Sequence, residues 1–161
     1  MIRPLTEDDV PRLVALEHEL FYPSPWSEAM LREELQAPGR WYVGIDGDLA
    51  SGTPVGVTAP VRGLVAYAGL WFDGDVAQVM TIGVARSAWR RGFGRTLLTA
   101  LVYRATALDA QAVLLEVRVD NAPAIALYES HCFEVLTRRR RYYQPDDVDA
   151  FTMRLLLRDD T

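Results

Sequence analysis

The run Arg90-Arg91-Gly92-Phe93-Gly94-Arg95 constrains this chain more than any other feature. Before it lies an apolar, β-branched stretch from Val76 to Val84. After it, Leu97, Leu98, Leu101, Val102, Ala105 and Leu108 recur at helical spacing. A glycine-rich corner between a strand and a helix is a place to hold an anion. The first N–H groups of a helix have no internal acceptor, and the helix dipole adds partial positive charge. Glycines let backbone approach a phosphate closely, and the three arginines add charge and donors. A pyrophosphate suits this corner. Two common phosphate-binding patterns do not fit. A dinucleotide fingerprint needs a third glycine where Leu97 stands, and a P-loop needs Gly-Lys-Ser/Thr, which is absent. The plainer alternative, a glycine turn that only separates strand from helix, stays open at this point.

The rest of the pattern is α/β. Ile2 to Pro4 reads as a short strand, and Thr6 with Asp9 resembles a capping box. Leu13, Val14, Leu16, Leu20 and Phe21 then follow a helical period, which Pro23 and Pro25 end. Ser27 caps a second helix with Met30, Leu31 and Leu35 on one face. Trp41 to Ile45 alternates as a strand, and Asp46-Gly47 reads as a turn. Residues 48–63 read mostly as an irregular loop, with a short strand around Val55 to Val57 as an option. Strands are expected at Leu64 to Trp71, Val76 to Val84, Val113 to Val117, Glu134 to Tyr143 and Phe151 to Leu157. Asn121 caps a helix that has Pro123 in its first turn and carries Ile125, Leu127 and Tyr128.

At 161 residues, half of them apolar, the chain fits one domain over 1–161 with a real core. A net charge of −5 argues against a nucleic-acid surface. The single cysteine, Cys132, excludes an internal disulfide. No apolar stretch has the length of a membrane span. A cytoplasmic setting, with no membrane partner, is the expectation. No spacing of His, Cys, Asp and Glu suggests a metal site.

Glu116 interrupts an otherwise apolar strand. A carboxylate there is costly unless paired or partly solvated. That setting suits a general base, but on the residues alone a structural carboxylate paired with Arg118 or a backbone donor is the favoured reading. Tyr128, on an amphipathic helix, reads either as core or as an acid that keeps its proton at neutral pH.

The continuous run from Leu115 to Ser130, containing Glu116, Asn121, Pro123 and Tyr128, resembles the signature of the RimI branch of the GNAT acetyltransferases. Arg-Arg-Gly-Phe-Gly-Arg is similar to that family's pyrophosphate loop, Gln/Arg-x-x-Gly-x-Gly/Ala, with Trp89 at the first position. Pro25-Trp26-Ser27, Ile82-Gly83-Val84 and Arg140-Arg141-Tyr142-Tyr143 extend the likeness over nearly the whole chain. The resemblance implies the GNAT fold, a mixed, mostly antiparallel sheet of about seven strands with about four helices. It implies acetyl-CoA as co-substrate, held by Ile82, Gly83, Val84, Arg90, Arg91, Gly92, Phe93, Gly94, Arg95 and Asn121. Glu116 is then the base, Tyr128 the acid, and a backbone N–H near Val84 polarises the thioester carbonyl.

The family's target is a protein N-terminus, the alanine of a small-subunit ribosomal protein. The resemblance puts it against Phe21 to Trp26 and against Tyr142 and Tyr143, whose adjacent rings are expected on opposite sheet faces. Arg138 to Arg141, alternating along a strand, reads as an ion-paired face rather than one basic patch. Cys132 stands where relatives have a glycine that ends a helix, so it must bear left-handed backbone or alter the turn. Two other readings are a GNAT enzyme for a small-molecule amine and a non-catalytic acetyl-CoA-binding module.

Overall fold

The computed structural model describes residues 1–21, 25–49 and 62–158. In chain order the elements are β1 (Ile2–Pro4), α1 (Val10–Phe21), α2 (Glu28–Gln36), β2 (Arg40–Asp48), β3 (Arg62–Phe72) and β4 (Ala77–Val84). They continue with α3 (Phe93–Ala107), β5 (Ala112–Arg118), α4 (Ala122–Ser130), β6 (Glu134–Tyr143) and β7 (Val148–Leu156). The seven strands form one sheet in the order β1-β2-β3-β4-β5-β7-β6. β4 runs parallel to β5, whereas β1 with β2, β5 with β7 and β6 with β7 are antiparallel. This is the mixed α/β architecture expected of a GNAT fold. The optional strand at Val55 to Val57 and Pro23 lie outside the described residues. Among the described residues no helix is long and apolar enough to cross a membrane.

The chain divides into two compact units, Met1–Gly69 with Thr81–Leu98, and Leu70–Met80 with Thr99–Thr161. In the first, α1 buries Val10, Leu13 and Leu16, and with them Glu17. Ser27 caps α2 through its side chain, which accepts the Met30 N–H at 3.2 Å. Met30 itself is 47 % exposed, so only Leu31 of the expected face is buried. Asp46-Gly47 is not a turn. β2 continues through both residues because Arg3 on β1 holds Asp46 at 2.8 Å and Gly47 lets Val65 come close. A Cβ at Gly47 would stand 3.0 Å from the Val65 side chain. The same guanidinium holds Asp9 at 2.7 Å, joining the first strand, the second and the turn between β1 and α1.

In the second unit, Asp73-Gly74 does turn the chain. Gly74 has φ of +101°, and the Asp73 carboxylate accepts the N–H groups of Asp75 and Val76. β5 buries Val113, Leu115 and Val117 on one face and pairs Glu116 with Thr152 of β7. Asn121 caps α4 by accepting the Ala124 N–H at 3.2 Å. The far end of α4 closes as a Schellman turn: Cys132 N–H bonds Glu129 O at 2.9 Å, and Phe133 N–H bonds Tyr128 O at 3.1 Å. Cys132 bears the left-handed geometry, with φ of +69°. Phe133 packs back on Tyr128, ring centroids 6.0 Å apart, the hydrophobic contact that accompanies such turns. β6 is the border strand and is exposed along nearly its whole length.

Candidate active site

The glycine-rich corner lies in the first unit. Thr96 donates its N–H to Gly92 O at 3.0 Å, the first helical bond of α3. Gly92 is therefore the cap residue, and it has no side chain to occupy the N–H groups of Phe93, Gly94 and Arg95. Its φ of +81° suits glycine, and a Cβ built there meets nothing within 4 Å. Arg90 also takes left-handed backbone, with φ of +66°. Arg90, Arg91 and Arg95 are exposed. Three free donors, open space above the cap and three guanidinium groups fit a diphosphate.

Trp89, the departure from the family pattern, is half-exposed and donates its indole N–H to Val84 O at 2.7 Å. It thus fixes the end of β4, where Ile82 and Val84 are half-buried and Gly83 is buried. The Gly83 backbone lies against the Tyr67 ring so closely that a Cβ would stand 2.7 Å from two ring carbons. Trp26 sits just before the Ser27 cap, half-exposed, with its backbone N–H on Glu17. Of the expected peptide segment from Phe21 to Trp26, residues 22–24 lie outside the described residues.

The carboxylate and the phenols lie in the second unit. Thr152 donates to Glu116 Oε2 at 2.8 Å, and Arg139 of β6 approaches Oε1 at 3.4 Å. Arg118 is not the partner of Glu116. Its guanidinium is held by Asp120 at 3.0 Å and Asp146 at 2.7 Å. Strand alternation explains this: Glu116 and Arg118 share a face, but two nearer acids draw Arg118 to the strand end. Tyr128 is 9 % exposed, and burial pushes its phenol up to about 12. Tyr143 is likewise pushed up to about 12, chiefly by burial, with Tyr142, Glu116 and Tyr128 adding to the shift and Arg118 opposing it.

Tyr142 and Tyr143 are not on opposite faces. Their rings meet edge to face, centroids 5.1 Å apart. The pairing of β6 with β7 shifts between Arg139 and Tyr143, and Arg141 has φ of +53°, so the two-residue alternation fails there. Arg139 covers the exposed Tyr142 ring at 4.3 Å, while Arg138 pairs with Asp149 at 2.8 Å. Glu116, Tyr128, Tyr142 and Tyr143 thus all belong to the second unit. Ile82, Gly83, Val84, the 90–95 corner and Trp26 belong to the other unit, and Asn121 spends its side-chain oxygen on the α4 cap.

Sequence reasoning missed Glu17, Tyr67, Thr152 and Arg139. Only Glu17 left a signal: it falls four residues after Leu13, on the apolar stripe of α1. Among the described residues no group of three or more His, Cys, Asp or Glu could hold a metal ion.

Comparison with known proteins gives the family. Residues 12–133 match the family model described as the Acetyltransferase (GNAT) family. N-alpha-acetyltransferase RimI of Mycobacterium tuberculosis is 39 % identical over 95 % of this chain and 90 % of its own length. The crystal structure of the ribosomal-protein-S18-alanine N-acetyltransferase from Escherichia coli superposes with a TM-score of 0.81 at 30 % identity, covering 100 % of this chain and 96 % of that one. A spermidine/spermine N-acetyltransferase from Vibrio cholerae shares the fold, with a TM-score of 0.71 at 21 % identity over 97 % of this chain and 91 % of that one. Corner, sheet and sequence together make this chain a member of the GNAT acetyltransferase family, in its RimI branch.

Proposed function

We propose that the protein transfers the acetyl group of acetyl-CoA to the N-terminal α-amino group of a protein, with alanine of a small-subunit ribosomal protein as the preferred target. The observation that carries this reading is that one unit holds a half-buried carboxylate, Glu116, a buried phenol, Tyr128, and the paired rings of Tyr142 and Tyr143. The names of the M. tuberculosis and E. coli relatives support the choice of a protein N-terminus over a small amine. The whole chain acts as one catalytic domain in the cytoplasm.

Acetyl-CoA is held through its diphosphate by the N–H groups of Phe93, Gly94 and Arg95, with Arg90, Arg91 and Arg95 adding charge. Ile82, Gly83 and Val84 lie along its pantetheine arm, and Asn121 adds a polar contact. Glu116 accepts a proton from the substrate ammonium, directly or through water. An α-amine with an ordinary pKa near about 8 needs only a modest base. The freed amine attacks the thioester carbonyl, and a backbone N–H near Val84 stabilises the developing oxyanion. The carbon–sulfur bond breaks, and Tyr128 gives its proton to the departing thiolate. Trp26, Tyr142 and Tyr143 border the peptide.

The test is mass spectrometry of a peptide panel, varied at the first residue, beside a panel of small amines, each incubated with acetyl-CoA. Acetylated peptide N-termini, with alanine foremost, are expected. Turnover of small amines alone would replace this reading with a small-molecule enzyme, and acetyl-CoA binding without any turnover would make the chain a binding module. Glu116→Gln should lower kcat by about a hundredfold, the scale of acid–base catalysis, and leave the acetyl-CoA Kd unchanged by calorimetry.

A further inference from the structure

Glu17 is the charged side chain that the fold buries most fully among the described residues, at 1 % exposure. It stands on α1 among Val10, Leu13 and Leu16, where an apolar side chain would pack without the cost of removing a carboxylate from water. Both its oxygens are engaged. Oε2 accepts the Tyr67 hydroxyl at 2.6 Å, and Oε1 accepts the Trp26 backbone N–H at 3.2 Å. Neither donor is charged, so the two bonds offset only part of the desolvation. Burial accordingly shifts this carboxyl above the usual glutamate range.

What the carboxylate joins is more telling than its cost. On one side is the backbone of Trp26, immediately before Ser27, whose own side chain caps α2. Two consecutive residues are thus pinned. On the other side is Tyr67, itself 1 % exposed, whose phenol also bonds Thr81 and whose ring lies close against Gly83. The position of that ring sets where the backbone of β4 runs between Thr81 and Gly83.

We propose that Glu17 is a positioning residue for both substrates: one buried carboxylate fixes the Trp26 segment that borders the peptide and, through Tyr67, the stretch of β4 that borders acetyl-CoA. The proposal rests on the assignment of those two segments under the proposed function. It adds a residue that touches neither ligand and acts through two segments that do.

Two variants separate this role from plain structural support. Glu17→Gln keeps the shape and removes the buried charge. Tyr67→Phe keeps the ring over Gly83 and leaves Glu17 bonded to Trp26. For each, the Tm, the acetyl-CoA Kd by calorimetry and the peptide KM at saturating acetyl-CoA are measured near neutral pH. Glu17→Gln is expected to melt no lower than wild type while its peptide KM rises about fivefold or more, the scale of one hydrogen bond. Tyr67→Phe is expected to raise the acetyl-CoA Kd about fivefold, with a smaller change in peptide KM.

Lower Tm values with both ligand constants within about twofold of wild type would overturn the proposal and leave Glu17 a structural carboxylate. Should Glu17→Gln fail to fold, Tyr67→Phe decides alone, and an unchanged acetyl-CoA Kd counts against the proposal. A wild-type chain that binds acetyl-CoA and acetylates no peptide would overturn the proposed function and the peptide half of this proposal. The calorimetric arm would still decide the coenzyme half.

Discussion

At the scale of single residues, two side chains show what their surroundings impose on them. Cys132 holds a left-handed backbone, φ +69°, that glycine adopts without strain. The Schellman bonds and the Phe133–Tyr128 contact hold it there. Cys132→Gly should therefore stabilise the protein by about 1 kcal/mol, read as a higher midpoint in urea denaturation with an unchanged slope. Tyr128 illustrates the reverse case, a group whose environment acts on its proton rather than on its backbone. With its phenol near 12, it keeps its proton throughout the working range. The pH profile of kcat/KM should show no alkaline fall below about pH 10. A decline well below that would assign the acid role to another group.

Elements were far more legible than the contacts between them. Most helices and strands of the described residues follow from apolar periodicity, though the exposed, arginine-rich β6 does not, and Ser27 and Asn121 announce their helices by the chemistry of capping. Asp46-Gly47 misled because turn preference is local, whereas Arg3, far away in sequence, holds the strand straight. Glu116 was recognisable as an odd residue in an apolar strand. Its partners were not, because Thr152 and Arg139 become neighbours only through the order of β5, β7 and β6. The tyrosine pair was misplaced for a similar reason: no sequence pattern marked the irregular pairing at Arg141. Arg3 provides a test at this scale. Arg3→Met should cost about 1 kcal/mol, since the two acids it links are partly exposed and an ion pair of that kind contributes little more. Equilibrium unfolding in urea would measure it.

For the whole molecule, stability is expected to decline on both sides of a mildly acidic optimum. Arg3 holds the carboxyls of Asp9 and Asp46 below the usual range by hydrogen bonding. Their contribution is complete above the ordinary aspartate value of about 3.9 and is lost as pH falls through their lower native values. Glu17, raised chiefly by burial, acts in the opposite sense. Its contribution is complete below the ordinary glutamate value of about 4.3 and is lost as pH rises through its native value. The stability of Glu17→Gln relative to wild type should therefore improve from pH ~4 towards pH ~8, as measured by urea midpoints across that span.

The border strand carries one consequence for the molecule as a catalyst. The counter-ion of Glu116 is Arg139, and β6, which bears it, has a neighbour on one side only. Outermost strands open more readily than inner ones. Each brief peeling of that hem would carry Arg139 away and leave Thr152 on the carboxylate, so the counter-charge beside the proposed base comes and goes with the breathing of the sheet's rim.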